Sequence, residues 1–242
     1  MTRNATLVEN MQRHRTGKKG QNRLDHGRGP RPPRWLILSA WEPELAFLKG
    51  AMAGLPASLR RRVTLASVGV GLVESAIGTT LLVAQHRPNI LLLVGTAGLY
   101  PGKTTTIALD QVAIAAKMVL LPEVLPGKHV FLPAILPDRM RSDPALVQAL
   151  RRKTHLPAAD IACPLGITAT KKAAGAAAKL SGCRLENLEA FAVARAAAVA
   201  KVPFAAVLGI ANHVGPAGHA QWKKHAQAAA AAACQAVLAV LE

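Results

Sequence analysis

The sequence predicts one α/β domain built on a central sheet and preceded by a basic tail. From Trp35 onward, short β-branched or aliphatic runs alternate with helical stretches, the pattern of strands interleaved with helices in one domain. Several runs are apolar at every position, which suits strands covered on both faces. Four strand ends carry unusual residues: Ala40-Trp41-Glu42-Pro43-Glu44, Gly69-Val70-Gly71, Gly95-Thr96-Ala97-Gly98 and Ala211-Asn212-His213. In sheets of this kind ligands sit beyond the carboxyl ends of the strands, so the convergence points to a site. Composition agrees: 51% hydrophobic and 18% charged residues are too apolar for a disordered chain, and 242 residues bury a sizeable core without staples.

The elements follow in order. Residues 1–34 hold nine Lys/Arg and two acids, +7 of the net +17, with no apolar periodicity. They close on Gly-Arg-Gly-Pro-Arg-Pro-Pro like a linker, and no apolar stretch of a secretory signal follows. This segment is expected to be a disordered, solvated extension, with polyanion or nucleic-acid binding as the weaker alternative. Domain boundaries of 1–34 and 35–242 follow.

Trp35 to Ala40 starts as a strand, Glu42 to Leu55 reads as a helix, and Val63 to Val70 as a second strand entering a Gly-Val-Gly turn. Leu72 to Gln85 is a helix, and Ile90 to Val94 a strand apolar throughout. Asp110 to Ala116 is another strand, with helical patterns at 143–153 and 170–181. Leu188 to Lys201 is a strong helix, Phe204 to Ile210 a buried strand, and His219 to Leu241 the closing helix, whose Ala tract favours helix.

Cys163, Cys183 and Cys234 are odd in number, widely spaced and without a Cys-x-x-Cys pair, which argues against a disulfide framework and a zinc site. Separate thiols fit a reducing, cytoplasmic setting. No apolar run approaches the roughly 18–20 residues of a membrane span. No cofactor or metal is expected.

The residues that carry chemistry stand at the strand ends. Gly95, Thr96, Ala97 and Gly98 let backbone approach a ligand and offer amide donors, although a plain tight turn explains the glycines equally well. Glu44 opens a helix, where an acid also complements the dipole. Glu189 lies in a stretch apolar on nearly every face, a costly place for a carboxylate unless a ligand or partner satisfies it. Asn212 ends a buried strand, and its amide both accepts and donates. That pairing suits a 6-oxopurine with a protonated N7 and an O6 acceptor; the plain alternative is turn geometry.

Together, Ser67-Val68-Gly69-Val70-Gly71 before a helix, Val94-Gly95-Thr96-Ala97-Gly98, and Asn187-Leu188-Glu189-Ala190 resemble the nucleoside phosphorylase/nucleosidase superfamily over residues 35–242. Within it, three segments are similar to the futalosine hydrolases: Gly95 to Gly102, Glu186 to Ala190, and Ile210 to Pro216 with Trp222 downstream. The resemblance implies a three-layer α/β/α domain with a mixed twisted central sheet and a homodimer. It implies hydrolysis of a purine nucleoside at the N-glycosidic bond, releasing hypoxanthine in a menaquinone precursor pathway. The alternatives are a methylthioadenosine/S-adenosylhomocysteine nucleosidase, a family that usually has Ser-Asp at Ala211-Asn212, or a catalytically degenerate nucleoside-binding member.

By the same resemblance, Glu44 is the general base toward water and Asn212 stabilises the leaving base. Glu189 binds the ribose hydroxyls, Leu188 packs on the sugar where the family has Met, Gly95 to Gly98 line the ribose side, and Ile167 and Thr168 flank the base. Leu93 and Ala40-Trp41 stand where the phosphorylases have an Arg and a Gly-Asp-Pro loop, so a phosphate dianion would lack its clamp. The chain also departs from the pattern at Ala211 for Ser, Leu208 for Arg, and Ala217-Gly218 for Arg-Asp.

Overall fold

A computed structural model describes residues 32–102, 107–122 and 133–241. Residues 1–31, nearly all of the basic tail, lie outside them. Arg34, assigned to the tail by sequence, is already anchored: its backbone N–H donates to Asn89 Oδ1 at 2.9 Å.

The strands are β1 (Trp35–Ser39), β2 (Val63–Ser67), β3 (Ile90–Leu99), β4 (Val112–Leu121), β5 (Arg139–Arg141), β6 (Ala158–Pro164), β7 (Leu185–Glu186) and β8 (Phe204–His213). The helices are α1 (Ala46–Ala51), α2 (Ala57–Arg60), α3 (Leu72–His86), α4 (Pro144–Thr154), α5 (Lys171–Ser181), α6 (Ala190–Val199) and α7 (Gly218–Leu241). β1 lies between β2 and β3, all three parallel. β3 also pairs β8 in parallel and β7 antiparallel. β4 runs antiparallel to β8 and β5 and parallel to β6, which in turn is parallel to β7. The mixed central sheet of the expectation is therefore present, and β3, β8, β4, β6 and β7 follow one another in a closed circuit.

Alternation along the apolar strands builds the layers. Leu91 and Leu93 of β3 pack into a core with Val83 of α3 and Phe191, Val193 and Ala197 of α6. Ile90, Leu92 and Val94 face the other way, into a core with Leu48 of α1, Leu146 and Leu150 of α4, and Val237 of α7. A strand apolar at every position is what two covered faces demand. The Ala tract lets α7 lie close on β8. A Cβ at Gly209 would stand 2.0 Å from the Ala229 carbonyl oxygen, so glycine is required at that crossing.

Several boundaries differ from expectation. Gly95 to Gly98 is strand rather than a turn, because β3 continues to Leu99 with an irregularity between Ala97 and Gly98 where it meets β8. β8 likewise runs through Asn212 to His213, three residues beyond the expected end. The expected helix from Glu42 to Leu55 divides into a 3-10 turn at Glu42–Leu45, α1, and a second 3-10 turn. β4 spans Val112–Leu121 instead of Asp110 to Ala116, and β5, β6 and β7 were not expected. β6 reads Ala-Ala-Asp-Ile-Ala-Cys-Pro, too rich in Ala and too weakly β-branched to stand out alone.

Candidate active site

The site grows from the carboxyl end of β1, where the chain turns through Trp41 into the 3-10 turn carrying Glu44. The Trp41 backbone N–H donates to Glu44 Oε2 at 3.2 Å and the Thr96 hydroxyl to Oε1 at 3.4 Å. The carboxylate lies against β3: a Cβ on Gly95 would come within 3.2 Å of Glu44 Oε1. From the far side, the indole N–H of Trp222 on α7 donates to Thr96 Oγ1 at 3.0 Å.

The second carboxylate hangs from the same strand through Asn187. Asn187 Nδ2 donates to the Thr96 carbonyl and to Glu189 Oε2, both at 3.0 Å. Asn187 Oδ1 accepts the N–H groups of Glu189 and Ala190, at 3.0 and 2.8 Å, and so caps the start of α6. Glu189 Oε1 accepts the Gly71 N–H at 2.8 Å, which ties the start of α6 to the start of α3. The helix expected from Leu188 begins two residues later. Glu189 therefore stands at its N-terminal boundary, where backbone donors meet it, and not inside an apolar helix.

Both carboxylates are buried. Burial raises the Glu44 pKa from its ordinary 4.5 to about 7, the charge of Glu189 adds to the rise, and the Trp41 and Thr96 donors oppose it. Burial likewise raises Glu189, against the pull of the Gly71 N–H and the Asn187 amide. A carboxyl poised near neutrality beside a second acid suits proton transfer from water.

Two residues further along β3, Gly98 is flanked in register by Asn212 of β8 and Glu186 of β7. Asn212 Nδ2 donates to the His213 carbonyl at 3.0 Å. An amide has two N–H groups and a carbonyl, so one N–H and Oδ1 remain for a ligand. Glu186, buried, accepts the Tyr100 hydroxyl at 2.5 Å and the Thr168 hydroxyl at 2.5 Å through Oε2, and the Thr168 N–H at 3.1 Å through Oε1. It thereby holds the loop bearing Ile167, which is 63% exposed. Leu188 is half-buried between Asn187 and Glu189.

Thus Glu44, Thr96 and Glu189 belong to one hydrogen-bonded cluster with Gly95 packed against Glu44, and Ala97 and Gly98 continue the strand toward Asn212 and the Ile167–Thr168 loop. Asn187, Gly71 and Trp222 escaped the sequence assignment of site residues. An Asn just ahead of an apolar helix is a capping signal, and it marks the hub of the cluster. Leu93, which stands in place of the phosphorylase Arg, is buried in the apolar core. Among the described residues no three His, Cys, Asp or Glu side chains cluster so as to hold a metal ion.

Comparison with known proteins gives the family. The chain is 29% identical over 218 residues to futalosine hydrolase from Thermus thermophilus, covering 85% of this chain and 95% of that protein. Among solved structures, 5'-methylthioadenosine/S-adenosylhomocysteine nucleosidase from Neisseria meningitidis, in complex with methylthio-immucillin-A, superposes with a TM-score of 0.75 at 17% identity, covering 86% of this chain and 97% of the other. Native futalosine hydrolase of Helicobacter pylori gives 0.75 at 15% identity, over 86% and 96%. The profile of the phosphorylase superfamily matches residues 57–242, more than three quarters of the chain, and the protein belongs to that superfamily.

Proposed function

We propose that this protein is a purine nucleoside N-glycosidase of the futalosine hydrolase type, cleaving the glycosidic bond with water and releasing hypoxanthine. The observation that carries the reading is the pair of buried carboxylates, Glu44 and Glu189, joined through Thr96 and Asn187 at the end of β3. Cleavage passes through an oxocarbenium-like sugar and needs a positioned water, charge stabilisation at ribose and a bonded leaving base. Glu44 takes a proton from the attacking water as oxygen bonds to C1′. Glu189 accepts the ribose hydroxyls, with Leu188 against the sugar and Gly95 to Gly98 along its edge. As the C1′–N9 electron pair passes into the purine, a solvent proton joins N7, and Asn212 Oδ1 accepts a hydrogen bond from that N7–H while its amide donates to O6, with Ile167 and Thr168 beside the ring. Asn in place of the Asp usual in adenine-releasing relatives favours the oxopurine. The similarity to futalosine hydrolase over most of both chains supports the same choice.

The test is a base-release assay on futalosine, inosine, methylthioadenosine and adenosine, without phosphate and then with it. Hypoxanthine from futalosine in the absence of phosphate is the expected result. Adenine release alone would assign the chain to the methylthioadenosine/S-adenosylhomocysteine nucleosidases, and release only with phosphate would make it a phosphorylase.

The same reading includes a homodimer in the cytoplasm. It is supported by an apolar strip along α3, where Val73, Ile77 and Leu81 are 53–65% exposed, beside Val199 of α6. A groove of ≈ 540 Å³ between the two helices, lined by residues including Leu72, Thr80, Phe191 and Val199, continues the strip. Exposed patches of this kind mark association surfaces. Light scattering should show a dimer, and Leu81→Asp should shift it to monomer; an unchanged mass in the variant would remove this face from the interface.

A further inference from the structure

We propose that Trp222 is a positioning residue for Glu44: its indole N–H, lodged on Thr96 Oγ1, turns the Thr96 hydroxyl so that it donates to the carboxylate. The relay has three members in line, Trp222 Nε1 to Thr96 Oγ1 at 3.0 Å and Thr96 Oγ1 to Glu44 Oε1 at 3.4 Å. A hydroxyl has one proton and two lone pairs. A Glu44 protonated at Oε1 would donate to Thr96 and require the Thr96 proton to turn elsewhere. The indole N–H occupies one of the two acceptor positions and holds the hydroxyl in its donating sense. Trp222 thus biases Glu44, a group with which it shares no hydrogen bond.

The placement of the indole is built into the fold. Trp222 lies one turn into α7, its ring stacked on His219 at a centroid distance of 6.1 Å and tilted against Trp41 at 6.1 Å. Trp41 supplies the other donor to Glu44, from its backbone. The two tryptophans therefore hold the two oxygens of one carboxylate, one directly and one through Thr96. The titratable groups that face Glu44 are Glu189 from the start of α6 and Cys234 from α7, whose thiol donates to the Glu44 carbonyl at 3.2 Å. Glu42 and Lys49 pair with each other at the surface, and His219 touches the relay through the Trp222 ring.

The inference rests on the reading of Glu44 as base, and its test separates the two. Carbon-13 labelling of Glu side-chain carboxyls in the full chain gives a Glu44 resonance, assigned by its loss in Glu44→Gln. Its titration midpoint is compared in the wild type, Trp222→Phe, Thr96→Val, Thr96→Ser and the Trp222→Phe/Thr96→Val pair. Thr96→Val should raise the midpoint by about one pH unit and Trp222→Phe by about half of that, as expected for a lost donor to a carboxylate. The double variant should move no further than Thr96→Val, because Trp222 acts only through Thr96. Thr96→Ser, which keeps the hydroxyl, should hold the wild-type midpoint. With futalosine as substrate, kcat/KM of Trp222→Phe should fall about threefold on the acid side of the profile and meet the wild type on the plateau. A Trp222→Phe midpoint equal to the wild type, or additive shifts in the pair, would overturn the relay. Failure to hydrolyse futalosine would overturn the proposed reaction while the midpoints still decide the relay.

Discussion

Around Thr96, hydrogen-bonding groups are already committed to one another: the hydroxyl lies between an indole N–H and Glu44, and the carbonyl takes the Asn187 amide that also holds Glu189. Around Gly98, two residues on, the arrangement is looser. Asn212 is half-buried with its amide on the neighbouring carbonyl, and Ile167 is largely exposed. The groups assigned to water and sugar are thus organised before a substrate arrives, whereas Asn212 and Ile167, assigned to the base, keep an amide edge and an apolar side chain free for it. Electrostatic preorganisation lowers a barrier when it needs no rearrangement in the transition state. Changes in the first region should therefore cost rate, and changes in the second should cost recognition.

The largest effect is expected at Glu44. Glu44→Gln keeps the shape and the Trp41 contact but removes the proton acceptor, so kcat for futalosine hydrolysis should fall by about 10²–10⁴-fold. Hypoxanthine binding should change little. Isothermal titration with hypoxanthine beside steady-state kinetics separates the two; full activity in the variant would end the role of Glu44 as base.

A second prediction uses the same group in both its forms. The pKa of Glu44 rises on folding from 4.5 to about 7, so the folded state favours the neutral carboxyl. Below about pH 4.5 the group is neutral in both states and its contribution is complete. As pH rises through about 7 the unfolded chain has already ionised and the contribution is lost, up to about 3 kcal/mol in all. Burial of Glu189 acts in the same direction. Activity requires the ionised base and should climb through the same window in which stability declines. Thermal melts of the ligand-free protein at pH 5 and pH 8, with and without Glu44→Gln, should show a smaller pH difference in the variant. Equal slopes would place the titration elsewhere.

Much of this organisation was legible in the sequence. Fully apolar runs such as Ile90 to Val94 announce strands with two covered faces, and the acids stand out because the domain carries so few. The missing parts share a physical cause. β6 is rich in Ala, and β7 is two residues long and held by its neighbours, so neither carries a local pattern. β3 and β8 overrun their expected ends because pairing with each other fixes Gly95 to Gly98 and Asn212 as strand, and tertiary pairing overrides turn propensity. Asn187 carries no local signal of its task as hub, because that role depends on Thr96, 91 positions away.

At the base end the expected losses are smaller. Asn212→Ala removes both partners of the oxopurine edge and should cost about 1–3 kcal/mol of base recognition. The loss should appear as a higher KM for futalosine and weaker hypoxanthine binding. Asn212→Asp should shift preference toward adenine, with the ratio of kcat/KM for methylthioadenosine to that for futalosine rising. A drop in kcat alone, at unchanged affinity, would move Asn212 out of the recognition half and into the organised one.

The smallest effect is expected at Ile167, where the comparison is most exposed to failure. Its side chain is 63% exposed, so Ile167→Ala should leave the melting temperature nearly unchanged, within about 0.5 kcal/mol of stability. If the loop closes over the base, the lost methyl and methylene groups should weaken binding by about 1 kcal/mol, near fivefold in KM, with kcat retained. Thr168→Val acts on the same loop from its other side, removing the hydroxyl donated to Glu186. A rise in KM from both variants would show that the loop contributes by packing on the base. A fall in kcat from Ile167→Ala would mean instead that the exposed loop shapes the transition state, and the division between an organised sugar end and an adaptable base end would no longer hold.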